Sequence, residues 1–115
     1  MSEEVDEFLT TFHTKLKVWG IVFRDDRGKN TQALLDLEIT PVQRKKILST
    51  IKKTDYSQGP VRDNLNGMQD MWVFGKIVKG KEVYIKITLG FRGMETICIS
   101  FHPAEHAMAY PLKKQ

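Results

Sequence analysis

The sequence carries a single cysteine, Cys98, among its 115 residues. One thiol closes no internal disulfide, so the fold has to rest on its core, and a reducing compartment is expected. No apolar run approaches the roughly 20 residues that a membrane helix needs. The opening Met1-Ser2-Glu3-Glu4 is acidic and leads into an amphipathic pattern, which reads as the start of a helix rather than a signal peptide. A cytoplasmic protein without membrane attachment is the expectation. There is no glycine-rich phosphate loop, internal repeat or low-complexity tract. His102 and His106 stand four apart, as a ligand pair on a helix would, but no third ligand is evident. No metal and no cofactor are expected.

What remains is the composition of an ordinary globular protein, 41% apolar and 28% charged. The length suits one domain over residues 1–115, large enough to bury roughly two-thirds of the surface its unfolded chain exposes. The net charge of +4 permits a nucleic-acid partner without demonstrating one.

Val5, Phe8, Leu9, Phe12, Leu16 and Trp19 recur at three- and four-residue spacing, which predicts a helix over residues 3–17. Ser2 can cap it, Glu3, Glu4 and Asp6 suit its positive end, and Gly20 can end it. Ile21-Val22-Phe23 reads as a short strand. The run from Asp25 to Asn30 is turn chemistry, and a short helix is expected over residues 31–37. Thr40-Pro41-Val42-Gln43 supplies a cap, proline at the first helical position and the third-position glutamine of a capping box, opening a helix to about residue 53. Its buried side is Ile47, Leu48 and Ile51. Arg44, Lys45, Lys46, Lys52 and Lys53 flank that stripe. A solvated face is their plain reading, and Lys45 and Lys46 are also candidates for RNA binding.

Residues 54–69 lose all periodicity, and Gly59-Pro60, Asn64, Asn66 and Gly67 predict a long loop with Arg62 as its one basic residue. Strands are expected over residues 71–78, 82–89 and 96–102, the last stopped by Pro103. Helices followed by consecutive strands predict an α+β domain, with the helices covering one face of a curved antiparallel sheet.

The strand 82–89 alternates cleanly. Val83, Ile85, Ile87 and Leu89 point one way; Glu82, Tyr84, Lys86 and Thr88 point the other. In the next strand Ile97, Ile99 and Phe101 share a face opposite Thr96, Cys98, Ser100 and His102. The register of the first strand depends on its turn. A two-residue turn at Lys79-Gly80 puts Lys76 on the apolar side beside Val83. A three-residue loop with a bulge puts Lys76 beside Tyr84, together with Trp72 and Phe74. The second is expected, because a lysine inside a core costs more than a bulge. The resulting surface gathers Trp72, Phe74, Lys76, Tyr84, Lys86 and His102. Its cations suit a phosphate, its Tyr and His can transfer protons, and its rings can stack on unpaired bases. RNA brings its own nucleophile, the 2′-OH. His13 reads as structural or exposed, and Cys98 as small packing on the sheet.

Asp55-Tyr56, the polar loop, Met71-Trp72-Val73-Phe74-Gly75, Val83-Tyr84-Ile85-Lys86-Ile87 and Ser100-Phe101-His102 together resemble the MqsR family of toxins from bacterial type II toxin–antitoxin systems. The resemblance covers about the second half of the chain. It implies a RelE-like fold, a metal-independent endoribonuclease acting on mRNA, and neutralisation by a cognate antitoxin protein. The ribosome is a further candidate partner. Sites of this type use a lysine in the loop before the Trp strand, a glutamine just after the Trp, and the tyrosine of the Tyr-apolar-Lys strand. Tyr84 matches the last, with Lys86 beside it. Val73 stands where the glutamine is expected, and the loop has no lysine. Arg62, Lys76 and His102 are the expected substitutes, giving a catalytic set of Tyr84, Lys86, His102, Lys76 and Arg62, with Trp72, Phe74, Lys45 and Lys46 binding RNA. Two rival readings are a non-catalytic RNA- or protein-binding module and a RelE/ParE-type inhibitor of another machine such as gyrase.

Overall fold

The computed structural model describes residues 2–62 and 69–113; Asn64, Asn66 and Gly67 of the expected loop, and Lys114, lie outside the described residues. The elements are α1 (Ser2–Val18), β1 (Ile21–Phe23), α2 (Lys29–Leu37), α3 (Pro41–Ser49), β2 (Tyr56–Val61), β3 (Met71–Val78), β4 (Lys81–Thr88) and β5 (Thr96–Pro103), with single 3-10 turns at Asp25–Arg27 and Lys53–Asp55. The result is an α+β domain with an open five-stranded sheet in the order β1-β5-β4-β3-β2. The sheet is mixed, where an antiparallel one was expected: β1 runs parallel to β5, and the other pairs are antiparallel. No described helix is long and apolar enough to cross a membrane.

The helices form where the sequence signals lie. Val5, Phe8, Leu9, Phe12 and Leu16 are the buried stripe of α1, with acids in its first turn and lysines in its last. Trp19, expected on that stripe, falls just past the last helical residue and is half exposed. Gly20, at φ +86°, takes the left-handed turn that ends the helix, its N–H bonding the Lys15 carbonyl. In α3 the capping box is complete: Gln43 N–H donates to Thr40 Oγ1 at 3.1 Å, and Thr40 N–H donates to Gln43 Oε1 at 2.8 Å. The helix stops at Ser49, four residues short of expectation.

Two residues read as surface chemistry are internal. Arg44 is 4% exposed. It grips both oxygens of Asp25 at 3.0 Å and lies 3.6 Å over the Phe23 ring, which compensates its charge and satisfies its planar face. Asn30 belongs to α2 rather than to a turn. Its amide donates to the carbonyls of Arg24 and Ile99, and its oxygen accepts the Phe101 N–H, all at about 3 Å.

The core joins the helices to one face of the sheet: Phe8, Phe12, Leu37 and Leu48 pack with Phe74, Val83, Ile85, Ile87 and Phe101. Phe8 stacks on both Trp72 and Phe74, at 5.0 and 5.8 Å between ring centres. Part of the expected long loop is strand β2, which supplies Tyr56 to the same aromatic group. The opposite face of the sheet is left for the site.

The β3–β4 hairpin corrects the expected register. Val78 pairs with Lys81 across a two-residue turn, with Lys79 at φ +50° and Gly80 at φ +80°, the doubly left-handed turn whose twist matches its strands. Lys76 therefore pairs with Val83, Phe74 with Ile85 and Trp72 with Ile87, all on the core side. Lys76 is largely buried there, and the cost that argues against this register is compensated by a counter-ion. Its stem lies along the core edge, and its ammonium reaches Asp55 at 3.0 Å. A second irregularity falls in β5. Lys86 pairs with Ser100 but Ile87 pairs with Cys98, leaving Ile99 as an extra residue. The bulge turns Cys98 into the core, away from Ser100 and His102, with which simple alternation grouped it.

Candidate functional site

The face of the sheet opposite the helices carries Val73 and Gly75 from β3, Tyr84 and Lys86 from β4, and Ser100 and His102 from β5. Antiparallel pairing sets Tyr84 directly opposite His102 and Lys86 directly opposite Ser100. Ser57 and Gln58 extend the row from β2, where Gln58 aligns with Val73. Beyond β5 the chain turns back over this face. Residues from Glu105 to Ala109 form the second wall of a cleft of about 580 Å³ that is floored by Val73, Tyr84, Lys86, Ser100 and His102.

Tyr84 and His102 are stacked, with ring centres 5.4 Å apart and planes within 19°. Burial raises the Tyr84 phenol above its ordinary pKa, so at neutral pH it is a hydrogen-bond donor and not a base. His102 is 9% exposed, and its Nδ1 lies 3.0 Å from the Pro103 carbonyl oxygen. A carbonyl only accepts, so Nδ1 carries the hydrogen, and the neutral ring keeps its free lone pair on Nε2. The Lys86 ammonium sits 5.8 Å from the centre of the Tyr84 ring and makes no ion pair among the described residues. The cleft therefore brings together a cation with no counter-ion among the described residues, a phenolic donor and an imidazole with one nitrogen already assigned.

Of the nine site residues expected from sequence, Tyr84, Lys86 and His102 are brought together and six are not. Trp72 and Phe74 are core rings under α1, and Lys76 is tied to Asp55 on the same side. Arg62 follows β2, exposed, and is not among the described residues that line the cleft. Lys45 and Lys46 are exposed on α3, in a shallow groove with His13, Leu16, Lys17, Val42 and Ser49 on the helix layer, across the sheet from the cleft. His13 is structural: its Nε2 lies 2.7 Å from the Ile51 carbonyl oxygen, tying α1 to the end of α3.

Sequence reasoning missed Ser57, Gln58, Glu105 and His106. The first two were hidden because Gly59-Pro60 made an edge strand look like a loop. His106, four residues from His102, reads from the sequence only as half of a metal-ligand pair. Tyr110, four residues on, was the available signal that the tail is anchored. Its hydroxyl donates to Glu82 Oε2 at 2.7 Å, and burial, together with that carboxylate, holds the phenol far above its usual pKa.

Comparison with protein families, curated proteins and solved structures gives no significant match for this chain.

Proposed function

We propose that this protein is a toxin of a bacterial type II toxin–antitoxin system, an endoribonuclease of MqsR type that cleaves mRNA by way of the RNA's own 2′-OH. The observation that carries the reading is the Tyr84–His102–Lys86 group in one cleft. The sequence likeness around Tyr84 and Lys86 adds to it, and implies a variant RelE-like fold, a cytoplasmic site of action and a cognate antitoxin.

In this mechanism His102 Nε2 takes the 2′-OH proton as that oxygen attacks phosphorus. Lys86 holds the negative charge that grows on the non-bridging oxygens, and Tyr84 donates a hydrogen bond to one of them. The stack against Tyr84 and the bond to the Pro103 carbonyl fix the imidazole before substrate arrives. The chemistry asks for no metal, because the nucleophile is part of the substrate. Val73 in place of the expected glutamine leaves the β3 wall apolar, and Gln58, its neighbour across the β2–β3 ladder, is the amide nearest in register.

The test is cleavage of a mixed-sequence oligoribonucleotide by purified protein with a chelator present, read alongside growth arrest on induction. Wild-type protein should give 2′,3′-cyclic phosphate ends and spare a 2′-deoxy substrate. His102→Ala should lower the rate by about 10²–10⁴-fold, the range for loss of a general base. RNA binding without cleavage, or undiminished growth arrest in both Tyr84→Phe and His102→Ala, would overturn the reading in favour of a binding module.

A further inference from the structure

Attack by the 2′-OH solves half of the proton problem. The 5′-oxygen that leaves must gain a proton, and the groups assigned so far are poor sources. Lys86 is needed as a charge. Tyr84 holds its proton more tightly than a free phenol because it is buried. The other wall of the cleft offers two more groups able to transfer a proton, Glu105 and His106; Glu105 is paired with Lys29 at 2.9 Å, whereas His106 is exposed to the cleft.

The chain around His106 is built to hold still. Residues 104–110 close as a loop on one side chain and its backbone. The Ala104 N–H donates to the Glu82 carbonyl at 2.8 Å, the Met108 N–H to Glu82 Oε1 at 3.2 Å, and the Tyr110 hydroxyl to Glu82 Oε2 at 2.7 Å. Gly75 lets this happen, since a Cβ there would overlap the Tyr110 hydroxyl and ring. An exposed ion pair of 2.9 Å joins Glu105 to Lys29, and beyond Tyr110 the chain is anchored by Leu112 against the core. Glu105 is held below the usual carboxylate range by its hydrogen bond and ion pair with Lys29, and it lines the same cleft as His102 and His106.

We propose that His106 is the general acid of the cleavage, donating its ring proton to the departing 5′-oxygen, and that the Glu82–Tyr110 clasp is what positions it. This rests on the ribonuclease reading above. The step balances. The 2′-O–H proton passes to His102, the 2′-O–P bond forms, the P–O5′ bond breaks, and the proton on His106 passes to O5′. The products are a 2′,3′-cyclic phosphate and a 5′-hydroxyl, with no co-reactant.

The experiment compares two oligoribonucleotides that differ at one atom, oxygen or sulfur at the bridging 5′ position of the scissile step. A thiolate leaves without protonation, so loss of a general acid matters only for the oxygen substrate. His106→Ala should cut cleavage of the oxygen substrate by about 10²–10⁴-fold while changing the sulfur substrate less than about threefold. Tyr110→Phe, which keeps the ring and loses the clasp, should show a smaller drop with the same rescue by sulfur. His106→Asn and circular dichroism guard against a folding defect. Equal loss on both substrates assigns His106 to binding or folding and overturns the proposal. Equal retention on both overturns it as well. In either case His102→Ala reports separately on the ribonuclease reading, which fails by itself if wild-type protein cleaves neither substrate.

Discussion

Lys76 and Asp55 meet at 3.0 Å, with only 19% and 16% of their side chains exposed. The pair closes the edge of the core between the 3-10 turn Lys53–Asp55 and strand β3, and a longer contact from the Lys76 ammonium to the Thr50 carbonyl at 3.4 Å reinforces it. Because so little water reaches either group, removing one partner strands the other. Asp55→Ala should cost at least about 1.5–3 kcal/mol, the net range for a hydrogen bond to a charged group. Urea melts of Asp55→Ala, Lys76→Met and the double variant would measure it. The double variant should be less damaged than Asp55→Ala alone. A strictly additive pair would mean that the two charges do not interact.

Trp72 and Phe74 distinguish a structural from a functional reading of aromatic residues. Phe74 is fully buried and stacked on Phe8, so Phe74→Ala should destabilise the domain by about 3–5 kcal/mol. Its effect on RNA affinity should follow the folded fraction alone. If Trp72→Phe left stability untouched and weakened RNA binding, the base-stacking role expected from sequence would be restored.

Gly75 should tolerate no side chain while the clasp is closed. The clash falls on the ring end of Tyr110, a side chain that can swing out, so Gly75→Ala should release the clasp rather than unfold the sheet. A loss of about 1 kcal/mol is expected, the usual net value of a hydrogen bond. The sharper readout is hydrogen exchange at the Met108 amide, which bonds Glu82 in the closed loop and should lose protection. In a Tyr110→Ala background the same glycine change should have almost no further effect.

The parts of the fold that were legible are those written in short-range pattern. The α1 stripe from Val5 to Leu16, the α3 capping box and the alternation of Val83, Ile85 and Ile87 in β4 each depend on residues within a turn or two of one another, and each stands as expected, Trp19 alone dropping off the stripe. Tyr84, Lys86 and His102 were legible for the same reason. The misreadings involve partners distant in sequence. Lys76 looked too costly to bury because Asp55 lay in a stretch with no visible period. Arg44 looked solvated because its counter-ion, Asp25, is 19 positions away. Asn30 braces the β5 bulge, its amide bonding the Ile99 carbonyl and the Phe101 N–H on either side of Ser100, and nothing in the β5 sequence itself announces it. That bulge decides which residues of β5 join Tyr84 and which join the core.

Cys98 gives the consequence of the bulge a chemical readout. Turned inward, it is fully buried, and loss of hydration pushes its thiol up to about 12, despite the opposing pull of Arg44. At pH 8 a thiol of that pKa is about one part in 10⁴ thiolate, and the thiolate is the reactive form. Alkylation of the folded protein by iodoacetamide should therefore be slower than that of the urea-unfolded chain by about 10³-fold. The same shift links stability to pH. Below the unfolded value of about 8.5 both states keep the proton, and Cys98 adds no pH dependence. Between there and about 12 the unfolded chain loses its proton while the folded chain keeps it, so stability falls as pH rises. From pH 8 to pH 10 wild-type protein should lose about 2 kcal/mol more than Cys98→Ala, which lacks the titrating group. Parallel pH profiles for the two proteins, or rapid alkylation of the folded chain, would put Cys98 on the open face with Ser100 and His102, and the bulge assignment would fall with it.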